Sequence, residues 1–125
     1  MLQKRWDHAC FVDEETSAIH VVVGKNVDGL RLTRTDSWVF KTESWQYNLA
    51  DNLPERIDES SAVSSNSKEY VGYVAGGEKW NRKATRKIWG WRRKEKIWVE
   101  LIQQLKTGRE SHSLVNIPSE KVLGC

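Results

Sequence analysis

The feature that most restricts this chain is a repeat. Gly24 is followed by Trp38 after 14 positions and by Trp45 after 21, and Gly77 is followed by Trp91 and Trp98 at the same two distances, an offset of 53 throughout. Val21 recurs as Val74, Ala9 as Ala62 and Arg56 as Arg109, while the polar turn Asp13-Glu14-Glu15 returns as Asn66-Ser67-Lys68 and as Ser119-Glu120-Lys121. One signal slips: Arg5-x-x-His8 and Arg109-x-x-His112 stand 104 apart rather than 106. A period of this size points to stacked units, because one such unit is too small to bury its own apolar face.

Short β-branched and aromatic stretches between polar turns predict four strands per unit. The first unit places them at 8–12, 18–23, 36–41 and 44–49, the second at 61–65, 69–75, 86–92 and 97–102, and a third opens with 111–117 and 121–123. The chain has seven tryptophans in 125 residues. Large aromatics of this kind supply apolar area where small β units lack bulk.

These markers resemble kelch repeats, in which a Gly-Gly pair closes the second strand, an aromatic follows about 14 positions later and a Trp seven beyond that. The matching residues are Gly76-Gly77, Trp91 and Trp98 in the second unit and Val23-Gly24, Trp38 and Trp45 in the first. Val23 stands where the first glycine belongs, both third strands carry Trp in the usual place of Tyr, and the third unit ends Leu123-Gly124-Cys125. The resemblance implies an all-β fold: an incomplete kelch-type β-propeller of four-stranded antiparallel blades. Blade 1 would span 1–53, blade 2 would span 54–105, and 106–125 would be the truncated start of blade 3. Structural roles follow for Gly24, Gly76 and Gly77, where the backbone needs positive φ or a neighbour approaches closely. Trp38, Trp45, Trp91 and Trp98 are expected between adjacent blades. At 53 residues per blade the chain holds about 2.4 blades, fewer than the roughly four to eight that close a ring. Each end is therefore expected to expose a Trp-lined face, covered by further blades of a longer chain or by self-association.

Charge and cysteine content narrow the setting. Net charge is +3, but residues 79–96 hold nine Lys/Arg against Glu95, so this segment carries +8 and the rest of the chain −5. No apolar run approaches the roughly 20 residues of a membrane-spanning helix, and the N-terminus turns charged before a signal-like stretch forms. Two cysteines, Cys10 and Cys125, are too few for a disulfide framework. A cytoplasmic location without membrane contact is expected.

Chemistry finds little support. His8, Cys10, His20 and His112 have no second Cys/His pair at ligand spacing, so no metal or cofactor is expected. Some copper oxidases are built on kelch-like propellers with a Tyr/Cys/His centre, but Tyr47, Tyr70 and Tyr73 stand in no corresponding motif. Neither a Gly-x-Ser-x-Gly elbow nor a Gly-rich phosphate loop occurs, and Glu14-Glu15 and Glu43 fall at turns. No enzyme is expected.

The basic segment 79–96 is the rival signal, since Trp80, Trp89 and Trp91 interleave with its cations as on nucleic-acid surfaces. Register weighs against it, because Trp89 and Trp91 share one face of a predicted strand and Arg92, Arg93 and Lys94 follow as a solvated turn. The resemblance instead implies a protein-binding scaffold or adaptor, using second-to-third-strand loops at 25–34 and 78–85 and inter-blade loops at 51–56 and 103–109. Arg31, Arg34, Arg56, Trp80, Arg82 and Arg109 are the contact candidates, and acidic peptides suit the bidentate guanidinium. Nucleic-acid or polyanion binding is the alternative, and membership of a propeller enzyme a distant third.

Overall fold

A computed structural model describes residues 1–47 and 49–116 and places ten strands among them. They are β1 (Ala9–Asp13), β2 (Ala18–Val22), β3 (Thr35–Val39), β4 (Ser44–Gln46), β5 (Ile57–Asp58), β6 (Ser61–Ser64), β7 (Gly72–Ala75), β8 (Glu78–Lys79), β9 (Ile88–Arg92) and β10 (Ile97–Glu100). Two four-stranded antiparallel sheets result, ordered β1-β2-β3-β4 and β6-β7-β9-β10, with a two-stranded β5-β8 ladder beside them. The described residues form an all-β fold, with a single 3-10 turn at Phe40–Thr42.

Each sheet pairs its strands antiparallel in chain order, and in β1 burial alternates residue by residue. In β1, Ala9, Phe11 and Asp13 are buried while Cys10 and Val12 are exposed. The second sheet stacks its Trp89–Trp91–Trp98 face on this buried side, and the two form one core with Val22, Val23, Leu53, Ile57 and Val74. Trp91 lies 4.9 Å from the His20 ring and 6.3 Å from Phe11, and Trp98 meets Phe11 edge-on at 6.0 Å. Gly72 makes this approach possible, since a Cβ there would collide with the Phe11 ring. The four tryptophans expected between sheets thus divide. Trp91 and Trp98 are 1% and 7% exposed, whereas Trp38 and Trp45 are only half-buried and pack on each other at 5.5 Å.

The repeat is written into the backbone. Positive φ recurs at Asp7, Glu59 and Ser111, at Val23-Gly24 and Gly76-Gly77, and at Glu43 and Lys96. The Glu59 N–H donates to the Asp7 carbonyl at 3.0 Å and the Ser111 N–H to the Glu59 carbonyl at 2.9 Å. The entry to each unit therefore repeats every 52 residues and the remainder every 53, which corrects two sequence equivalences. Ala9 pairs with Val22 and Ser61 with Ala75, so the counterpart of Ala9 is Ser61 and not Ala62. The Gly24 N–H donates to Ile57 O and the Gly77 N–H to Arg109 O, so Arg109 corresponds to Ile57 and Arg5 rather than to Arg56.

The predicted third unit begins but forms no strand over 111–116. That stretch runs along β6 through isolated contacts, from Ser61 Oγ to His112 O at 2.8 Å and from Asn116 Nδ2 to Ser64 O at 3.1 Å. A strand needs a continuous ladder partner, and none is present among the described residues. Residue 117, the expected strand at 121–123, the turn at 119–121 and Cys125 lie outside the described residues, as does Asn48.

Gly24 and Gly77 sit at close backbone crossings, with φ of +93° and +103°. A Cβ on Gly77 would stand 2.7 Å from the Asp58 carbonyl oxygen, whereas one on Gly29 would meet open space. Gly77→Ala should therefore cost roughly 2–3 kcal/mol in urea unfolding and Gly29→Ala about 1 kcal/mol. Equal losses at the two positions would contradict the close approach.

Candidate functional site

The β2–β3 and β7–β9 connections emerge at one end of the molecule, beside the β5-β8 ladder. In the first, Asn26 Oδ1 accepts the Asp28 and Leu30 N–H groups at 3.0 and 2.9 Å and holds the loop. In the second, the Arg82 N–H donates to Lys79 O at 2.9 Å and the Lys83 N–H to Asn81 Oδ1 at 3.2 Å. This tight turn leaves the Trp80 side chain 80% exposed. Ile57 pairs with Lys79, so Arg56 and Trp80 are the next residues along these two strands. Arg82 and Lys83 follow in the same turn, and Arg109 sits where its carbonyl receives Gly77. Arg56, Arg82 and Arg109 are all exposed, with no ion-pair partner among the described residues.

Arg31 and Arg34 are placed differently. Arg31 bridges Asp58 and Glu78, tying the first loop to the β5-β8 ladder. Arg34 bonds Asp36 at 2.7 Å and lies over the Tyr47 ring. Both hold the structure together, and their charge is already matched.

The same ladder gathers three carboxylates, Asp7, Asp58 and Glu59, whose oxygens lie within 4.8 Å of one another. Lys25 Nζ stands among them, contacting Asp58 and lying 3.5 Å from Asp7 and 3.6 Å from Glu59. Its hydrogen bond to Asp58 holds the ammonium pKa above the usual lysine range. The cluster thus carries its own cation and makes no demand for a metal.

Four of the nine cations of the basic segment are ion-paired in the fold. Lys79 pairs with Glu55 at 2.8 Å, Lys87 with Glu100 at 3.0 Å, and Arg92 with Glu69. Arg93, expected in a solvated turn, instead reaches back 80 residues, its Nε donating to Asp13 Oδ2 at 2.8 Å. Trp89 and Trp91 are buried. The exposed part of the Trp-and-cation pattern keeps Trp80 with Arg82 and Lys83 in one turn, while Arg86, Lys94 and Lys96 are likewise exposed with no ion-pair partner among the described residues. A polar groove of about 390 Å³ lies beside the β9–β10 hairpin, but its Arg92 and Arg93 are the paired ones and Glu69 and Glu95 line it too.

Sequence inspection missed a buried constellation, Asp13, His20 and Ser37. His20 Nδ1 is 2.7 Å from Ser37 Oγ, and Nε2 is 3.9 Å from Asp13 Oδ2. Acid, imidazole and hydroxyl invite comparison with a catalytic triad. All three are 1% exposed or less, sealed beneath Phe11 and Trp91, and no substrate reaches them. The alternation of β1 and β2 puts them on one face, but their contact depends on pairing that the sequence does not display. Burial, together with the nearby Arg93 charge, holds the His20 pKa down at about 4 against the opposing pull of Asp13.

No family model matches the chain, and no curated protein matches it. Among the described residues no helix is long and apolar enough to cross a membrane.

His20 gives this site a measurable pH signature. Its ordinary pKa is 6.5 and its folded one about 4, so between these values the unfolded chain holds a proton that the native imidazole refuses. Stability should fall by about 3 kcal/mol as pH drops from 6.5 to 4. Asp13 is held below its ordinary 3.8, because the Arg93 and Thr16 hydrogen bonds outweigh the upward push of burial; its loss begins below that window. His20→Gln should flatten the acid slope in denaturant titrations, and an unchanged slope would refute this assignment.

Proposed function

We propose that the chain is a kelch-type repeat scaffold, two blades and the onset of a third, that captures an acidic segment of a partner protein. The antiparallel meanders, the 52/53-residue backbone period and the Trp face of one sheet stacked on the other support the kelch interpretation. Contact is assigned to Trp80, Arg82, Lys83, Arg56 and Arg109, with Arg31 and Arg34 as supports for the loop. The observation that carries this function is Trp80, a large aromatic left 80% exposed on a short ordered turn and flanked by guanidinium groups that have no ion-pair partner among the described residues. Rigid aromatics and arginines are the residues that dominate protein interfaces, and free guanidinium groups select carboxylates. No reaction is assigned to the chain. The exposed free thiol of Cys10 suits a reducing interior, and a cytoplasmic setting belongs to the same proposal.

The test is fluorescence anisotropy with a labelled glutamate-rich peptide and, separately, a single-stranded oligonucleotide. Trp80→Ala should weaken peptide binding about tenfold and Arg82→Glu should weaken it further, with the thermal midpoint unchanged. Peptide affinity indifferent to both changes would overturn the proposal, and tighter capture of the oligonucleotide would transfer the site to polyanions.

A further inference from the structure

The β2–β3 and β7–β9 loops are the same turn built twice. In the first, the Gly29 N–H donates to Asn26 O at 3.0 Å and the Asn26 N–H to Leu30 O at 3.0 Å. In the second, 53 residues later, the Arg82 N–H donates to Lys79 O at 2.9 Å and the Lys79 N–H to Lys83 O at 3.1 Å. A left-handed residue closes each turn, Gly29 at φ +76° and Arg82 at φ +57°. An arginine thus holds, under backbone strain, the place that glycine fills freely.

This equivalence sets Val27 against Trp80 at the first central position of the turn, Asp28 against Asn81 and Leu30 against Lys83. Turns favour small polar residues at such positions. Val27 is nevertheless 67% exposed, Leu30 60% and Trp80 80%, so each unit raises an apolar side chain at the same place on the same end of the molecule. Sheets stacked face to face stand about 10 Å apart, and an extended chain advances about 3.3 Å per residue. The two tips are therefore spaced by about three residues of an extended partner. Charge is ordered along the same line. Ile57 O accepts the Gly24 N–H of the first unit, and Ile57 pairs with Lys79 of the second, so the strand that carries Arg56 runs between the loops. Arg82, Lys83 and Arg109 continue the unmatched positive charge past Trp80. The first tip offers none: Arg31 is held by Asp58 and Glu78, and the exposed charge beside Val27 is the Asp28 carboxylate.

We infer that the acidic segment captured here is extended and sets two apolar residues three positions apart, one on Val27 and Leu30 and the other on Trp80, with carboxylates between them and after the second. This rests on the peptide site proposed above and adds the first loop to it. Charge complementarity places the acids on Arg56 and beyond Trp80, and the repeated turn fixes the interval. Asp28 repels a carboxylate ahead of the first apolar residue. Arginines alone would accept any cluster of carboxylates, whereas two apolar tips make the site read their order.

Fluorescence anisotropy on the full chain tests this with three labelled peptides: Leu-Glu-Glu-Leu-Glu-Glu, the composition-matched Glu-Glu-Leu-Leu-Glu-Glu, and hexaglutamate. The spaced peptide should bind about tenfold tighter than the rearranged one, the effect of seating one further leucine side chain. Val27→Ser and, separately, Leu30→Ser should each remove most of that preference and leave hexaglutamate affinity unchanged. Phe40→Ser, at an exposed apolar position on the turn at the opposite end of β3, should leave the preference intact. Near-UV circular dichroism checks that each variant is folded. Equal affinity for the spaced and rearranged peptides overturns the inference and leaves the acidic-peptide site standing, as does a preference that survives both loop variants. Failure of all three peptides to bind overturns the site itself, and the inference with it.

Discussion

Everything in this molecule depends on the stacking of Trp91 and Trp98 on Phe11 and His20. A four-stranded sheet alone has no interior, and its buried side becomes a core only when a second sheet closes over it. Each tryptophan removes roughly 200 Å² from water, a gross gain of about 5 kcal/mol before conformational entropy is counted. The absence of a side chain at Gly72 sets how near Phe11 can come. Arg93, paired with the buried Asp13, ties the β9–β10 hairpin of one sheet to the β1–β2 turn of the other. Apolar stacking supplies the attraction, and this ion pair selects one register among the many that two apolar faces would accept.

The left-handed backbone positions give the stacking its regularity. Asp7, Glu59 and Ser111 carry nearly the same φ, 53°, 51° and 49°, and the Glu59 and Ser111 N–H groups each donate to the equivalent carbonyl of the unit before. Such a residue without glycine's freedom is strained, and its recurrence shows that the connection between units dictates the conformation more strongly than the side chain does. Because the entries are fixed in this way, the loops between second and third strands emerge together at one end. Their contents can vary without disturbing the core: the first ends in Val27 and Leu30, the second in Trp80 and Arg82.

The eight meander strands were legible in outline because they follow from local alternation and turn chemistry, and the Gly-Trp-Trp spacing revealed the repeat, whereas the β5-β8 ladder and the end of β4 at Gln46 rather than at 49 were not legible. Long-range features were not. The one-residue difference between the entry period and the body of the unit misaligned Ala9 with Ala62 and Arg56 with Arg109, since identical letters outweigh a register that only the ladders reveal. The contact candidates divided for an electrostatic reason: Arg31 meets Asp58 and Glu78 brought near by the fold and Arg34 meets Asp36 two residues on, while Arg56, Arg82 and Arg109 have no ion-pair partner among the described residues. Arg93 looked solvated because its partner Asp13 lies 80 residues earlier. The unequal burial of the two tryptophan pairs is equally invisible in sequence, where Trp38–Trp45 and Trp91–Trp98 have identical spacing.

That inequality is the most exacting consequence of the account, and nuclear Overhauser spectroscopy of the monomeric protein measures it directly. Cross-peaks should connect the Trp91 indole with the Phe11 and His20 rings, across 80 and 71 positions of chain, and the Trp38 indole should reach the Trp45 ring but neither Phe11 nor His20. Absence of the Trp91 cross-peaks, or their appearance at Trp38, would contradict the stacking on which the fold rests.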